Sequence, residues 1–321
     1  MTLHLASSLI VLYVILRLIV PLALTRRSKT LLALAALLVS QWHLYQRLFL
    51  GGLWATEIPV PLLAAANWLF LSLALLLPIL IFRDLALLLC RLGRRFGLSP
   101  AWPGSVNVRA LAWVGLAAIG AGFGLWQAVK VPEVRSMEVT LPRLPPELDG
   151  LTLVQISDLH ASPLLTGPRV RRVVERANAL APDLIVLTGD MVDGPVERRA
   201  GDVAPLADLR APLGVWACLG NHEYYSGLDS WLAAFESLGV TVLSNSHAML
   251  EKNGARLALG GVTDRVAGRT RRPLPDVEAA FRGAPDNAVK ILMAHRPDPL
   301  PESLGMDGVD LQLSGHTHGG Q

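Results

Sequence analysis

The stretch Asp183-Leu184-Ile185-Val186-Leu187-Thr188-Gly189-Asp190-Met191-Val192-Asp193 decides how the fold of this chain is interpreted. Its first half is a continuous apolar run of strand length, which predicts a buried strand. The polar sequence Gly-Asp-x-x-Asp follows directly where that strand ends. In an open α/β sheet, ligands bind outside the carboxyl ends of the strands. A single aspartate in such a position is often only a helix N-cap, so the interpretation depends on how the other strands end.

Four further predicted strands end in polar residues of the same kinds. The clusters are Asp158-Leu159-His160, Gly220-Asn221-His222-Glu223, His295 and Gly315-His316-Thr317-His318, after the predicted strands Leu151–Ser157, Gly214–Leu219, Ala288–Met293 and Val309–Leu313. Asp158 and Asp190 are 32 residues apart and Asn221 follows 31 residues later, which suits one strand and one helix per step. Five of the six histidines after residue 135 lie in these clusters; the sixth, His247, is interpreted as structural. Together the clusters predict one site, and imidazole and carboxylate groups indicate a metal centre.

Helices are predicted between the strands, which makes the rear of the chain an α/β domain. The predicted helices are Pro168–Ala181, Asp202–Leu209, Leu228–Leu238 and Pro275–Phe281, and a short strand is predicted at Val240–Leu243. Asn253-Gly254, between Ala248–Lys252 and Arg256–Leu259, predicts a β-hairpin because this dipeptide favours a tight turn. Alternating strands and helices favour a partly parallel sheet, to which the hairpin adds antiparallel strands. We therefore expect a two-sheet β sandwich flanked by helices over residues 151–321.

The composition separates an apolar, basic front part from an acidic rear part. The chain of 321 residues is 52% hydrophobic and only 17% charged, too apolar for one ordinary soluble domain. Residues 1–135 carry 12 lysines and arginines against three acids, whereas residues 136–321 carry 17 against 23. The basic balance therefore belongs to the front part and gives no reason to expect a nucleic-acid partner. Cys90 and Cys218 lie in different parts, which excludes a disulfide framework and a thiolate zinc site.

Four apolar stretches in the front part are each about long enough to cross the hydrocarbon core of a membrane. They are Leu5–Leu24, Leu31–Leu50, Leu62–Phe82 and Ala110–Val129, and they predict an all-α, four-helix transmembrane bundle over residues 1–130. The loops Arg26–Lys29 and Arg83–Arg109 are basic, whereas the loop between them carries only Glu57. By the positive-inside rule the basic loops are cytoplasmic, which puts the rear domain on the non-cytoplasmic side. The proline-rich residues 131–150 are expected to be a linker or an edge strand.

Arg17 lies inside the first predicted span. Because no acidic residue falls within any predicted span, we interpret Arg17 as a side chain that snorkels toward the cytoplasmic interface. His43 is likewise interpreted as interfacial, because it lies next to Trp42 and Tyr45. The front part is therefore expected to be an anchor, since a transport path normally contains more buried polar residues.

The ordered motifs Asp-x-His, Gly-Asp-x-x-Asp, Gly-Asn-His-Glu, a lone His and Gly-His-x-His resemble those of the calcineurin-like metallophosphoesterases, in particular their membrane-anchored members. The resemblance implies two divalent metal ions, held by Asp158, His160 and His318 on one side and by Asn221, His295 and His316 on the other, with Asp190 bridging them through its two carboxylate oxygens. It also implies that His222 contacts the phosphoryl oxygens or protonates the leaving group. Asp193 and Glu223 are expected to orient ligands. Nitrogen and oxygen ligands without thiolate suit manganese, iron or zinc, and the resemblance favours manganese.

The function that these expectations support is a membrane-anchored phosphodiesterase, in which two metal ions generate a hydroxide nucleophile. A membrane tether favours a lipid-linked phosphate, and hydrolysis of a nucleotide–lipid diphosphate is the related alternative. A non-catalytic metal-binding sensor or scaffold is the alternative of another class. The arginines that are candidates for binding the leaving group are Arg169, Arg171, Arg198, Arg199 and Arg265. In the family the chain continues past Gly-His-x-His-Gly-Gly-Gln, so the domain is expected to be truncated at its C-terminus.

Overall fold

The computed structural model of the chain describes residues 2–53, 56–94, 104–298 and 308–318. The chain divides into two compact units, Met1–Lys130 and Val131–Gln321. Three residues of the C-terminal motif, Gly319, Gly320 and Gln321, lie outside the described residues, as does Arg95 of the third predicted loop.

The described part of the first unit contains five α-helices. They are α1 (Thr2–Val14), α2 (Arg26–Ser40), α3 (Trp42–Phe49), α4 (Val60–Gly93) and α5 (Val106–Val129). A π-helical segment, Ile15–Ile19, continues α1. Among the described helices, α4 and α5 are long and apolar enough to cross a membrane. Their outer faces expose large apolar side chains such as Phe82, Leu111 and Ile119.

The second predicted span, Leu31–Leu50, is divided between two helices. The chain breaks at Gln41, so that α2 has 15 residues and α3 has eight. Polar side chains at the break find partners inside the unit: Gln41 Nε2 donates to Ser40 Oγ (3.0 Å), and Trp42 Nε1 donates to Asn67 Oδ1 (2.8 Å). His43 is 5% exposed and stacks on His4, with 4.6 Å between the ring centroids.

Arg17 has an acidic partner, which corrects the interpretation based on the sequence. Its Nε lies 2.6 Å from Asp84 Oδ2, and Tyr13 donates its hydroxyl to the same oxygen (2.7 Å). Arg83 donates from Nε and Nη2 to Asp84 Oδ1 (2.9 and 2.6 Å). Asp84 was missed because the apolar stretch ends at Phe82, whereas helix α4 continues to Gly93. The Asp84 carboxylate therefore joins α1 and its π-helical extension to α4.

Two four-stranded sheets make up the described β structure of the second unit, as the sequence predicts. The first sheet is parallel, in the order β1 (Leu153–Ile156), β2 (Leu184–Thr188), β3 (Val215–Cys218) and β4 (Thr241–Val242). The second has the order β5 (Ser246–Lys252), β6 (Ala255–Gly261), β7 (Val289–Met293) and β8 (Leu311–Leu313). Within it β5 and β6 form the predicted antiparallel hairpin, and the other two pairs are parallel.

Strand β2 shows how the sheets pack. All five of its residues are buried, and their side chains alternate between the two faces of the sheet. Leu184 and Val186 pack in a core between the sheets, together with residues of β6 and β7 such as Leu257 and Ile291. Ile185 and Leu187 pack in a second core beneath the helices on the other face. A smaller cluster covers the outer face of the second sheet. The unit is therefore a β sandwich with helices on both sides.

The helices of this unit are short. They are α6 (Gly167–Ala179), α7 (Val196–Val203), α8 (Asn221–Tyr225), α9 (Leu228–Ser237) and α10 (Val277–Ala280). The helix predicted at Asp202–Leu209 begins earlier, as α7, and ends in the 3-10 turn Ala204–Asp208. Residues 131–150, all of them described, contain no strand. Their only helical turn is Pro146–Leu148, whose Leu148 is buried in the core between the sheets.

Candidate metal centre

The predicted site residues follow the carboxyl ends of β1, β2, β3, β7 and β8, and both sheets contribute to one place. The loop after β1 pairs with the loop after β2, where Asp158 donates its backbone N–H to Gly189 O and His160 donates to Asp190 O (both 3.0 Å). Gln155 Nε2 of β1 donates to Ser314 O, just after β8 (2.8 Å). The edges of the two sheets are thereby joined beside the histidines.

The backbone of the site is held in an uncommon conformation. Nine described residues other than glycine have positive φ, and five of these are predicted metal ligands: Asp158, His160, Asp190, His316 and His318, with φ between 46° and 67°. Left-handed backbone is disfavoured for side chains larger than glycine, and such residues cluster at functional sites. The hydrogen bonds between the loops hold these residues in place and turn their side chains toward one another.

Two glycines allow the strand ends to approach this closely. A Cβ atom at Gly220 would lie 2.2 Å from Asp190 Oδ1, and one at Gly315 would lie 1.9 Å from Ser157 Oγ and 2.4 Å from Asp158 Oδ2. All three distances are shorter than those that real Cβ atoms show. The glycines of Gly-Asn-His-Glu and Gly-His-x-His are therefore required for packing around the two aspartates.

Asp158, His160 and His318 form the first group of candidate ligands, with one ligand atom of each within 4.8 Å of the others. His160 Nδ1 lies 3.1 Å from Asp193 Oδ1, which accepts its proton and leaves Nε2 to face the group. His160 Nε2 lies 3.2 Å from His318 Nε2, and His318 Nε2 lies 3.4 Å from Asp158 Oδ1. Burial disfavours protonation of His160, but Asp193, Asp190 and Asp158 outweigh it and raise its pKa.

Asp190, His295 and His316 form the second group, again with one ligand atom of each within 4.8 Å. His295 is 2% exposed, and its Nδ1 donates to Thr188 O (2.8 Å), so Nε2 faces the group. His295 Nε2 lies 3.2 Å from both Asp190 Oδ2 and His316 Nδ1. A histidine fixed through its second nitrogen by a backbone carbonyl is a common arrangement around bound metals.

Asp190 lies between the two groups. Its Oδ2 faces His160 Nε2 at 3.8 Å and His295 Nε2 at 3.2 Å, while Oδ1 accepts the backbone N–H of His222 (2.9 Å). The geometry thus directs one oxygen, Oδ2, to both groups, where the resemblance implied a bridge through both oxygens. Burial opposes ionisation of Asp190, but His295 and the N–H of His222 outweigh it and lower its pKa to about 2.

Asp193 contacts two histidines at once. The same Oδ1 that accepts from His160 lies 2.5 Å from His222 Nδ1. His222 Nε2 is thereby turned toward Asp190 Oδ2, at 3.9 Å. Burial raises the pKa of Asp193, but the two histidines outweigh this effect and lower it. Asp193 thus holds the rings of His160 and His222 through one carboxylate oxygen.

Glu223 contacts no predicted ligand side chain through a described hydrogen bond and instead holds the loops. Its fully buried carboxyl accepts backbone N–H groups from Asp190 (3.0 Å), Met191 (2.6 Å) and Gly220 (2.8 Å). Burial and the nearby Asp190 raise the pKa of Glu223 to about 7, although the three N–H groups favour its ionised form. Glu223 thus fixes the ends of β2 and β3 relative to each other.

Arg296 belongs to the site but is not among the residues predicted from the sequence. Its Nη2 donates to Asn221 Oδ1 (3.1 Å), its Nη1 lies 2.8 Å from His316 Nε2, and its Nε donates to Asp264 Oδ2 (2.7 Å). The one available signal was its place directly after the lone histidine. Of the arginines suggested for the leaving group, Arg265 lines a small cavity with His295 and Arg296. Arg171 pairs with Asp208 and Arg199 with Asp202.

The donor set fits divalent cations. In the first group two imidazole nitrogens and a carboxylate oxygen converge, and Asp193 accepts the proton of His160 on the other side of the ring. Lone pairs and carboxylates at these separations repel one another unless a cation lies among them. The same negative field that raises the pKa of His160 and His295 attracts a metal ion. All the ligand atoms are nitrogen or oxygen, which suits manganese, iron or zinc.

His247, the histidine outside the clusters, has a structural contact as expected. Its Nδ1 lies 2.8 Å from the backbone carbonyl of Ala280, and its ring lies beside Phe281, so it ties the hairpin to helix α10.

Comparisons with known proteins agree with this geometry. The model of the calcineurin-like phosphoesterase family matches residues 151–320. The chain is 35% identical over 225 residues to a transmembrane protein with metallophosphoesterase domain of Danio rerio, a match that covers 68% of this chain and 51% of the relative. The protein of that name in Bos taurus is 35% identical over 209 residues, covering 62% and 47%. The chain thus spans about half the length of these relatives.

The match to a bacterial relative covers a larger share of that relative. The metallophosphoesterase YkuE of Bacillus subtilis is 31% identical over 213 residues, covering 64% of this chain and 72% of the relative. Among solved structures, a 5'-nucleotidase precursor of Thermus thermophilus is 20% identical with a TM-score of 0.39, covering 52% of this chain and 42% of that protein. A likeness of that level supports no further inference. The family match and the relatives together show that this chain belongs to the calcineurin-like phosphoesterases, a family of metal-dependent hydrolases.

Proposed function

We propose that this chain is a membrane-anchored, dinuclear metal-dependent phosphodiesterase. The observation that carries the proposal is the convergence of two ligand groups on Asp190, whose Oδ2 faces His160 at 3.8 Å and His295 at 3.2 Å. The first ion would be held by Asp158, His160, His318 and Asp190, and the second by Asn221, His295, His316 and Asp190. When bound, such a pair of ions clamps a phosphoryl group and lowers the pKa of a coordinated water.

The position of His222, beside the proposed metal ligands, supports hydrolysis as the function. Its ring is held by Asp193 and turned toward Asp190, at the edge of the first group. From this position its Nε2 would donate to a phosphoryl oxygen or give a proton to the leaving group. Asp193 keeps the proton on Nδ1 of His222 whenever the ring is neutral, which leaves Nε2 as the nitrogen that exchanges protons with the substrate.

The test of this proposal compares two model substrates. Full-length protein in detergent would be given bis-p-nitrophenyl phosphate and p-nitrophenyl phosphate, with manganese and after treatment with EDTA. We expect turnover of the diester, its loss in EDTA and its return with manganese. Parallel reactions with zinc and iron would rank the three metals by the rate of hydrolysis that each supports. Absence of turnover with metal bound would favour a non-catalytic metal-binding protein, and turnover of the monoester alone would contradict the assignment as a diesterase.

The apolar helices favour a substrate that resides in or near a membrane, such as a lipid-linked phosphate. The support is the pair of long helices α4 and α5, together with the relatives named as transmembrane proteins. Release of phosphate or of a nucleotide from lipid-linked substrates in mixed micelles would test this assignment. Equal rates on lipid-linked esters and on their water-soluble head groups would contradict it.

We further propose that the catalytic domain lies on the non-cytoplasmic side. The basic residues in the first turn of α2, and those at the end of α4 and directly after it, support a cytoplasmic position for these segments. This orientation requires two crossings between the basic loops, although α2 and α3 are separate helices. Fusions of a periplasmic and of a cytoplasmic reporter after His318 would test it, and activity of the cytoplasmic reporter alone would contradict it.

A further inference from the structure

Arg296 is a residue of the site to which the proposed function gives no role. Its guanidinium makes three polar contacts, with Asp264 Oδ2 at 2.7 Å, His316 Nε2 at 2.8 Å and Asn221 Oδ1 at 3.1 Å. Two of these three partners are proposed ligands of the second metal ion. The cationic side chain therefore lies within hydrogen-bonding distance of two side chains that would bind a divalent cation.

Asp264 anchors this arrangement. The side chain of Asp264 is completely buried, whereas that of Arg296 is 27% exposed. Asp264 Oδ1 accepts the backbone N–H of Val266 (2.8 Å), which fixes the carboxylate at the start of a 3-10 turn. Its other oxygen is directed at Nε of Arg296. The guanidinium is thus held by a charge-assisted hydrogen bond to a rigid partner.

The hydrogen-bond chemistry of His316 makes the contact with Arg296 incompatible with metal binding. Arginine only donates hydrogen bonds, so His316 Nε2 must accept with its lone pair. The proton of the neutral imidazole then resides on Nδ1, the nitrogen that lies 3.2 Å from His295 Nε2 and faces the second group. A protonated nitrogen cannot bind a metal ion. His316 can therefore accept from Arg296 or bind the second ion through Nδ1, but not both.

We propose that Arg296 is a positioning residue that competes with the second metal ion for His316 and Asn221, so that the second ion binds more weakly than the first. The inference rests on the proposed dinuclear function and adds the order of loading. The first group has no described contact with an arginine and fills first. The second ion must displace the two Nη atoms from their partners, while Nε stays with Asp264. Activity should then follow the occupancy of the weaker site.

Equilibrium binding of manganese to the full chain in detergent tests this inference. Free manganese would be measured by electron paramagnetic resonance, for wild type, Arg296→Met and Arg296→Lys. Arg256→Met is the matched control, because Arg256 pairs at the surface with Glu251. Since Arg296→Met leaves the buried Asp264 carboxylate without its partner, the double variant Arg296→Met/Asp264→Asn is measured as well. Circular dichroism and thermal melting would establish that each variant is folded.

We expect two classes of site in the wild type. Loss of the competing charge in Arg296→Met and in the double variant should tighten the weaker site by about tenfold and leave the tighter site unchanged. Arg296→Lys keeps the charge but cannot donate to both ligands in the same geometry. Its affinity for the second ion should therefore lie between those of wild type and Arg296→Met. The wild-type manganese dependence of hydrolysis should follow the weaker site.

Three results would overturn the inference. If the second ion binds with unchanged or lower affinity in both Arg296→Met and the double variant, Arg296 does not compete with it. A matching increase in affinity in the Arg256→Met control would show a general charge effect. A wild type that binds two ions with equal affinity would show that the second ion is not the weaker one. By contrast, one ion or none in every folded variant would overturn the dinuclear proposed function itself.

Discussion

At the scale of single residues, the site depends on a few side chains that hold the others in place. Asp193 accepts from both His160 and His222, and Glu223 accepts three backbone N–H groups from two loops. These contacts place His160 among the metal ligands and His222 beside them. His160 and His222 therefore differ in position, and we expect only His160 to bind metal. Measuring the metal content and the rate of hydrolysis of the same variant tests this difference.

Replacing His222 with alanine is expected to lower the rate of hydrolysis by about 10²- to 10⁴-fold, the range typical of a lost general acid or base. Metal content should stay near that of wild type, because His222 is absent from both proposed ligand sets. The measurement is the turnover number together with metals counted by mass spectrometry. His247→Gln is the matched control, a histidine outside the site, and should alter neither quantity. Loss of a metal ion in His222→Ala would make it a ligand.

The residue types of the site could be predicted from the sequence, but their conformations could not. Asp158, Asp190 and Asn221 follow strands of one parallel sheet, and the carboxyl ends of such strands meet at one edge. The left-handed backbone at His316 and His318 depends on hydrogen bonds to distant loops, for example from His316 N–H to Asp158. Arg296 was missed because its partners, Asp264 and Asn221, are brought to it only by tertiary folding.

At the scale of elements, the local patterns predicted the strands better than the helices. The apolar run of β2 and the Asn253-Gly254 turn are signals contained within a few residues, and both were confirmed. The break at Gln41 was not predicted, although Gln41, His43, Gln46 and Arg47 crowd the far end of this apolar stretch. Helix α4 extends to Gly93, beyond its apolar stretch, since charged residues such as Arg83 and Asp84 find partners there.

Asp183, just before β2, connects two elements and should give a measurable pH dependence. Its Oδ1 lies 2.5 Å from Lys252 Nζ at the end of β5, and its Oδ2 accepts the backbone N–H of Thr152. Lys252 chiefly, with help from Thr152, lowers the pKa of Asp183 despite opposing burial. A carboxyl with a lowered folded pKa stabilises the fold above its unfolded pKa, about 4, and this contribution is lost as pH falls through the folded pKa.

Asp183→Asn should therefore reduce the free energy of unfolding by about 1 kcal/mol at pH 7. The difference from wild type should shrink as the pH falls below about 4, because the wild-type carboxyl then takes up its proton. Urea unfolding followed by circular dichroism, at several pH values, would measure it. Asp208→Asn serves as a control, since Asp208 pairs with Arg171 at the surface and both side chains are more than half exposed. A difference that does not vary with pH would contradict the assignment.

The Asp84 carboxylate is expected to stabilise the first unit by joining two helices. Asp84→Asn would leave Arg17 and Arg83 close together without a negative partner, which destabilises because unpaired charges repel. The thermal midpoint of the protein in detergent, followed by tryptophan fluorescence, should fall by several degrees. Removing one charge as well, in Arg17→Met/Asp84→Asn, should recover part of the loss. Asp149→Asn, at an exposed position, is the control. An unchanged midpoint in Asp84→Asn would show that the ion pairs contribute nothing.

At the scale of the whole molecule, the chain combines an apolar helical unit with a phosphoesterase domain whose site draws on both of its sheets. Asp158, Asp190 and Asn221 follow strands of the first sheet, whereas His295 and His316 follow strands of the second. Neither sheet alone carries either of the two proposed ligand groups. The charge difference between the two units was readable from composition, because it is a sum over many residues. The pairing of ligands across the sheets is a product of folding.

Metal stoichiometry in Asp190→Asn, measured together with turnover, tests the dinuclear site most directly. Asparagine keeps the shape of Asp190 and can still accept the N–H of His222, but it lacks the negative charge that both ions would share. We expect two metal ions per wild-type chain and at most one in Asp190→Asn. Diester hydrolysis should fall by more than about 10³-fold, since both ions that would bind the phosphoryl group depend on this residue. An Asp190→Asn protein that keeps two ions and its turnover would contradict the dinuclear site.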